Sequence, residues 1–263
     1  RPPRPGLAPL SGVGGTDPDP ALVTGAGRRS RSRRPDALVG EHGHLLRGSF
    51  WLLASVAANA FFGFAFWLIA THLDTKTDVG RASALFTGVL FINYLTNMGL
   101  PVAVARYAPD DEASSTVLFN WSIAYTGASS LLGTALFLVL LPQSMADTLL
   151  QWGGPAGFLI FFTVVFGMSC AILLEVRLMA LRRWGWVFAR VAVVGIVRFA
   201  LVLVRPLADD ALWLFLVVVG IPALSGFVGV GVLLVRRRSP RVFGPLPPSW
   251  RAGLRYSSVN YLG

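Results

Sequence analysis

The chain has 263 residues, 54% apolar and only 14% charged, with 23 basic against 13 acidic side chains and a net charge of +10. A soluble domain carries about a quarter charged residues, so this composition excludes an ordinary soluble fold. The single cysteine, Cys170, excludes an internal disulfide and a cysteine-rich metal cluster.

Residues 1–44 are rich in Pro, Gly, Arg and Ser and poor in large apolar side chains. Such a segment buries too little surface to offset its chain entropy, which predicts a disordered, basic, cytoplasmic tail. Val23-Thr24-Gly25-Ala26-Gly27 lacks the strand, helix and third glycine of a dinucleotide-binding turn. Arg28, Arg29, Arg31, Arg33 and Arg34 suit the surface of an anionic membrane. No secretory signal peptide is read here, because the apolar run that follows is too long and lacks a cleavage site.

Beyond the tail, apolar residues gather in runs close to the ~20 needed to cross a bilayer. Six spans are predicted: Ser49 to Ala70, Arg81 to Val104, Val117 to Leu141, Ala156 to Leu174, Trp186 to Val204 and Ala211 to Val235. Aromatics such as Phe50, Trp51, Trp67, Trp184, Trp186 and Trp213 fall at span ends, as interfacial anchors do. Arginines cluster in the tail, after span four (Arg177, Arg182, Arg183, Arg190) and after span six (Arg236, Arg237, Arg238, Arg241). Those segments share one side of an alternating six-span path, which places the N-terminus in the cytoplasm. Nearly all the positive charge is arginine, with Lys76 the single lysine, and its placement in flanks and loops argues for membrane topology rather than nucleic acid.

The expected fold is therefore all-α: a disordered tail over 1–44, a six-helix transmembrane bundle over 45–238, a cytoplasmic linker over 239–251 and the start of a seventh transmembrane helix over 252–263. Leu254-Arg255-Tyr256-Ser257-Ser258 echoes Leu46-Arg47-Gly48-Ser49-Phe50, as a second bundle would. The first methionine is Met98 and Gly263 falls within a helical pattern, so the chain reads as part of a longer one.

Several segments carry a family likeness. Gly48-Ser49-Phe50-Trp51 with Phe66-Trp67-Leu68-Ile69-Ala70 resembles the first helix of polysaccharide flippases. Val79-Gly80-Arg81-Ala82-Ser83-Ala84-Leu85-Phe86 resembles their second, together with Asn93-Tyr94-Leu95 and Gly99-Leu100-Pro101-Val102 through Arg106-Tyr107. Ala180-Leu181-Arg182-Arg183 and Trp186-Val187 are similar to their loop between helices four and five. These proteins form the polysaccharide-transporter branch of the multidrug/oligosaccharidyl-lipid/polysaccharide exporter superfamily. The resemblance, over about residues 45–263, implies two six-helix lobes around a cavity that opens alternately to each face. It implies a cytoplasmic (inner) membrane protein that flips an undecaprenyl-pyrophosphate-linked oligosaccharide. Its partners would be that anionic lipid, membrane lipids and polysaccharide-assembly proteins. No cofactor is implied.

Two rival functions remain. A drug or cation antiporter of the same fold needs a titrating carboxylate in the cavity; span one has none, and Glu175 is the candidate here. A membrane-embedded glycosyl or lipid transferase needs an acidic cluster at a membrane face, and Asp110-Asp111-Glu112 is the sole candidate. No catalytic constellation, zinc spacing or phosphate loop is visible, and His42, His44 and His72 lie in tail or loop, so an enzyme is not expected.

An ionisable residue inside a span is expensive and is a functional candidate by default. Arg198 is the clearest: a guanidinium deep in span five can hold phosphate oxygens. Alternatively it snorkels outward beside Arg205 or pairs with a carboxylate. Glu175 and Arg177 end span four, either as a gate at the cytoplasmic mouth or as an interfacial ion pair. Arg81 and Arg106 cap span two and Arg47 stands at the entrance of span one, as headgroup receivers or as helix-end anchors. Asn59 and Asn93 are amides within apolar spans, lining a cavity for sugar hydroxyls or hydrogen-bonding between helices. Gly99 with Pro101 and Gly220 with Pro222 mark places where spans can kink or pack closely.

Overall fold

The computed structural model describes residues 35–97, 99–107, 112–140, 155–204 and 211–235, with side chains from Leu46 onward except over 106–115. The chain divides into two units, 1–43 and 44–263; the second holds the bundle. Among the described residues there is no strand. The helices are α1 (Pro35–Leu73), α2 (Lys76–Asn97), α3 (Leu100–Tyr107), α4 (Glu112–Leu140), α5 (Pro155–Ala180), α6 (Trp184–Leu203) and α7 (Ala211–Val235). This is an all-α polytopic bundle, the architecture hydrocarbon imposes because a helix satisfies its own backbone groups.

Five of these helices are long and apolar enough to cross a membrane: α1 from Leu46, α4 from Thr116, α5, α6 and α7. The expected second span differs. It is not one helix but two, α2 and α3, with a break at Gly99, whose φ of 77° lies in the left-handed region. Pro101 follows in the first turn of α3, where its missing N–H is harmless. Arg81, Asn93, Thr96 and Asn97 lower the apolarity of α2. Its length still fits: 22 residues at 1.5 Å per residue reach about 33 Å. Asn93, Thr96 and Asn97 are tolerated because they are buried against other helices and not against lipid, and Arg81 is exposed near the start of the helix.

α1 begins at Pro35, inside the stretch expected to be disordered. The expected linker and seventh helix lie outside the described residues.

Side-chain contacts fix the helix directions. Gly48 meets Trp184, Trp51 meets Phe188, and Phe66 meets Arg198, so α1 and α6 run parallel. Phe161 stacks on Phe215, Gly167 abuts Ala223, and Leu174 abuts Gly229, so α5 and α7 also run parallel. α4 runs antiparallel to both α2 (Phe137 on Gly88, Ile92 by Gly133) and α5 (Phe137 on Phe161, Thr116 on Arg177). Successive crossings thus alternate in direction when α2 and α3 count as one.

Two turns explain the tight connections. Thr75 caps α2: its Oγ1 accepts from the Asp78 amide at 3.2 Å and donates to Asp78 Oδ2 at 2.5 Å. α5 ends in a Schellman motif, with the Arg183 amide bonded to Leu178 O and the Arg182 amide to Met179 O, both 2.9 Å. Arg182 takes the left-handed position, φ 56°, that glycine usually fills.

The middle of the bundle is packed through small residues. Lipid tails are as apolar as leucine, so helices associate through van der Waals packing and polar contacts rather than a hydrophobic drive. A Cβ added at Gly226 would lie 2.6 Å from the Ala171 backbone nitrogen, so only glycine lets α7 approach α5 this closely. Ser122, Thr126, Ser130 and Thr134 recur every four residues along α4 and are fully buried. Large apolar side chains such as Phe50, Leu53, Phe64, Leu132 and Val139 face outward, as a lipid-facing surface requires.

Candidate functional site

α1 does not close against the rest of the bundle along its whole length. Between it and α2, α5, α6 and α7 lies a cavity of about 270 Å³. Asn59, Gly63 and Trp67 of α1 form one wall, and Glu175, Arg190 and Arg198 supply the charge. Val218 and Pro222 of α7 also face it. α7 widens there into a π-helical turn, Leu216–Gly220, just before Pro222. Such turns accommodate a missing backbone donor and recur at functional sites.

The charged groups are arranged unequally. The Arg190 guanidinium forms an ion pair with Glu175 through Nη2, and its Nη1 donates to Ser225 Oγ at 2.9 Å. Ser225 Oγ in turn donates to Pro222 O at 2.6 Å. This chain of contacts ties α5, α6 and α7 together. Eight residues farther along α6, about 12 Å at the helical rise, Arg198 is 9% exposed. Its guanidinium carbon sits 5.6 Å from the centre of the Phe66 ring. Among the described residues Arg198 makes no hydrogen bond and no ion pair, and its Nε is buried without a partner. The cavity therefore carries one balanced charge pair and one cation whose counter-charge is missing among the described residues.

Three of the expected site residues meet here: Arg198, Glu175 and Asn59. The others do not line the cavity. Arg177 is buried against α4, its Nη2 3.3 Å from Thr116 Oγ1 and its guanidinium carbon 4.5 Å from the Phe119 ring centre. The expected Glu175–Arg177 pair is thus corrected to Glu175–Arg190. Residues two apart on a helix do not face each other, so the two ends of that pair diverge.

Asn93 bonds between helices. Ser169 Oγ donates to its Oδ1 at 2.6 Å, its Nδ2 donates to Val89 O at 3.0 Å, and Asn97 Nδ2 donates to its backbone carbonyl at 2.8 Å. Arg47 and Arg81 are exposed near opposite ends of the α1–α2 hairpin. The Arg106 side chain lies outside the described residues, as do Asp110 and Asp111.

Arg190 is the residue sequence reasoning missed, being grouped there with the loop arginines. Its distance past Trp184, six residues or about 9 Å, was the available signal that it lies inside the span. The hydroxyl stripe of α4 was equally visible as a four-residue repeat.

Comparison with protein-family models, curated proteins and solved structures finds no match to this chain.

Proposed function

We propose that this protein moves a lipid with an anionic headgroup, of the lipid-linked oligosaccharide kind, across the cytoplasmic membrane. The observation that carries the reading is Arg198. Insertion scales put a central arginine at about 2.5–3.5 kcal/mol unfavourable, and a cation–π contact offsets only about 0.5–2 kcal/mol of that. A phosphate or pyrophosphate entering the cavity supplies the counter-charge and takes a bidentate guanidinium contact. Asn59 offers an amide for hydroxyl or phosphate oxygens. The volume sets the scale: at about 270 Å³ the cavity is smaller than the roughly 300–1,000 Å³ of sites for drug-sized ligands. It suits a headgroup rather than a whole glycan, with the hydrocarbon chain left in the bilayer.

The antiporter reading is weaker. Glu175 is the one carboxylate lining the cavity among the described residues, and Arg190 already holds it.

The test is translocation of a fluorescent polyprenyl-pyrophosphate-linked sugar in proteoliposomes. Arg198→Ala is expected to lower the rate at least tenfold while the protein stays inserted and monodisperse, and Arg198→Lys to restore part of it. An unchanged rate in Arg198→Ala overturns the assignment.

A further inference from the structure

A second concavity opens on the side of α6 away from α1. It is a groove of about 430 Å³ between α5, α6 and α7, walled by Leu174, Leu178, Val193, Val228 and Val232. Arg183 and Trp186 stand at its mouth, and Val193, Val194 and Ser225 line its inner end. From Arg183 to Val194 the groove runs eleven residues along α6, or about 16 Å. That is a length one lipid chain can occupy below its headgroup.

The mouth is built for a phosphate. Arg183 is exposed and lies at the N-terminus of α6, which no side chain caps. Uncapped amides at a helix start attract anions. Gly185 in the first turn leaves open space, since a Cβ there would meet nothing within 4 Å. The left-handed turn at Arg182 fixes Arg183 at this point. Trp186 is 67% exposed, as an interfacial anchor is. Deeper in the groove, Arg190 is held by Glu175 and Ser225 and its charge is balanced, so among the described residues the unbalanced cation of the groove is Arg183 at the mouth.

From an apolar trough with a cationic mouth at a helix start we infer that this groove seats one chain of an anionic phospholipid of the surrounding bilayer, its phosphate on Arg183 and the α6 N-terminus. Charge complementarity selects the occupant: a neutral lipid would fill the trough but gain nothing at the mouth. The site is independent of the transport reading, which stands or falls on Arg198.

The experiment uses the full chain in nanodiscs containing either phosphatidylglycerol or phosphatidylcholine with a photoreactive diazirine in the acyl chain. Labelled peptides are mapped by mass spectrometry. Phosphatidylglycerol is expected to label residues of the groove walls at least fivefold more than phosphatidylcholine. Arg183→Gln, an exposed change, is expected to erase that preference. Val228→Trp and Val193→Trp, which fill the trough from opposite walls at exposed positions, are expected to lower labelling by both probes. Equal labelling by the two lipids, labels mapping elsewhere, or unchanged labelling in a folded Trp variant each overturns the inference. If both Trp variants misfold, the wild-type map and Arg183→Gln still decide it.

Discussion

Two parallel helix pairs in this bundle meet in opposite ways. Along α5 and α7, glycine and alanine bring backbones together: Gly167 abuts Ala223, and Gly226 abuts Ala171. Along α1 and α6, contact is made by large rings, with Trp51 on Phe188 at 5.2 Å between centres and Phe62 filling the notch at Gly195. Close-packed backbones have little freedom to slide, whereas ring contacts between spaced helices leave gaps, and the charged cavity is one of them. In a bilayer, where burying apolar surface gives no drive, packing closeness is the main source of helix association. The α5–α7 seam is thus a rigid base, and α1 is the wall best suited to move.

The strongest challenge to that contrast is Gly226→Val. The obstructing atoms belong to the α5 backbone, so relief requires the helices to part, at a cost on the order of 3 kcal/mol. A large fall in Tm in detergent is expected; a Tm within a degree of wild type would show the seam to be loose. Asn93→Leu comes next. It leaves Ser169 Oγ without its acceptor and removes the amide that links α2 to α5. Polar contacts between membrane helices contribute about 0.6 kcal/mol on average and up to about 1.7, and this shared cluster belongs at the upper end. Thermal unfolding of Asn93→Leu paired with Ser169→Ala in a double-mutant cycle measures the coupling. Phe62→Ala, on the looser side, is expected to lose only about 1 kcal/mol, because lipid can refill the space of a half-buried ring. Its stronger effect should be faster labelling of a cysteine placed at Asn59. If Phe62→Ala destabilises as much as Gly226→Val, the two interfaces are not distinct.

The sequence legibly carried the parts that depend on composition. Long apolar runs located α1, α4, α5, α6 and α7, because a bilayer demands continuous apolar helices. It did not carry the partners. Asn93 meets Ser169, and Glu175 meets Arg190, through helix rotation set by turns and packing, and hydropathy is blind to rotation. Arg198 stood out because it is ionisable in an apolar span. Arg190, nearer the end of the same span, was hidden by the positive charge expected there. The break in span two was marked by Gly99 and Pro101, though not that a helix ends there.

The smallest expected effect tests the turn that joins the rigid base to α6. Arg182 holds φ 56°, where a side chain is disfavoured by about 1–2 kcal/mol. Arg182→Gly removes that strain but adds freedom to the unfolded chain. The balance should be a gain of about 0.5 kcal/mol, read as a small rise in Tm. The α5–α6 contacts beyond the turn, including Glu175 with Arg190, should be unaffected, since the backbone path is unchanged. A fall in Tm would mean that the Arg182 side chain contributes an attachment of its own, for instance to the membrane surface. The join between the base and α6 would then depend on lipid as well as on the hydrogen bonds of the turn.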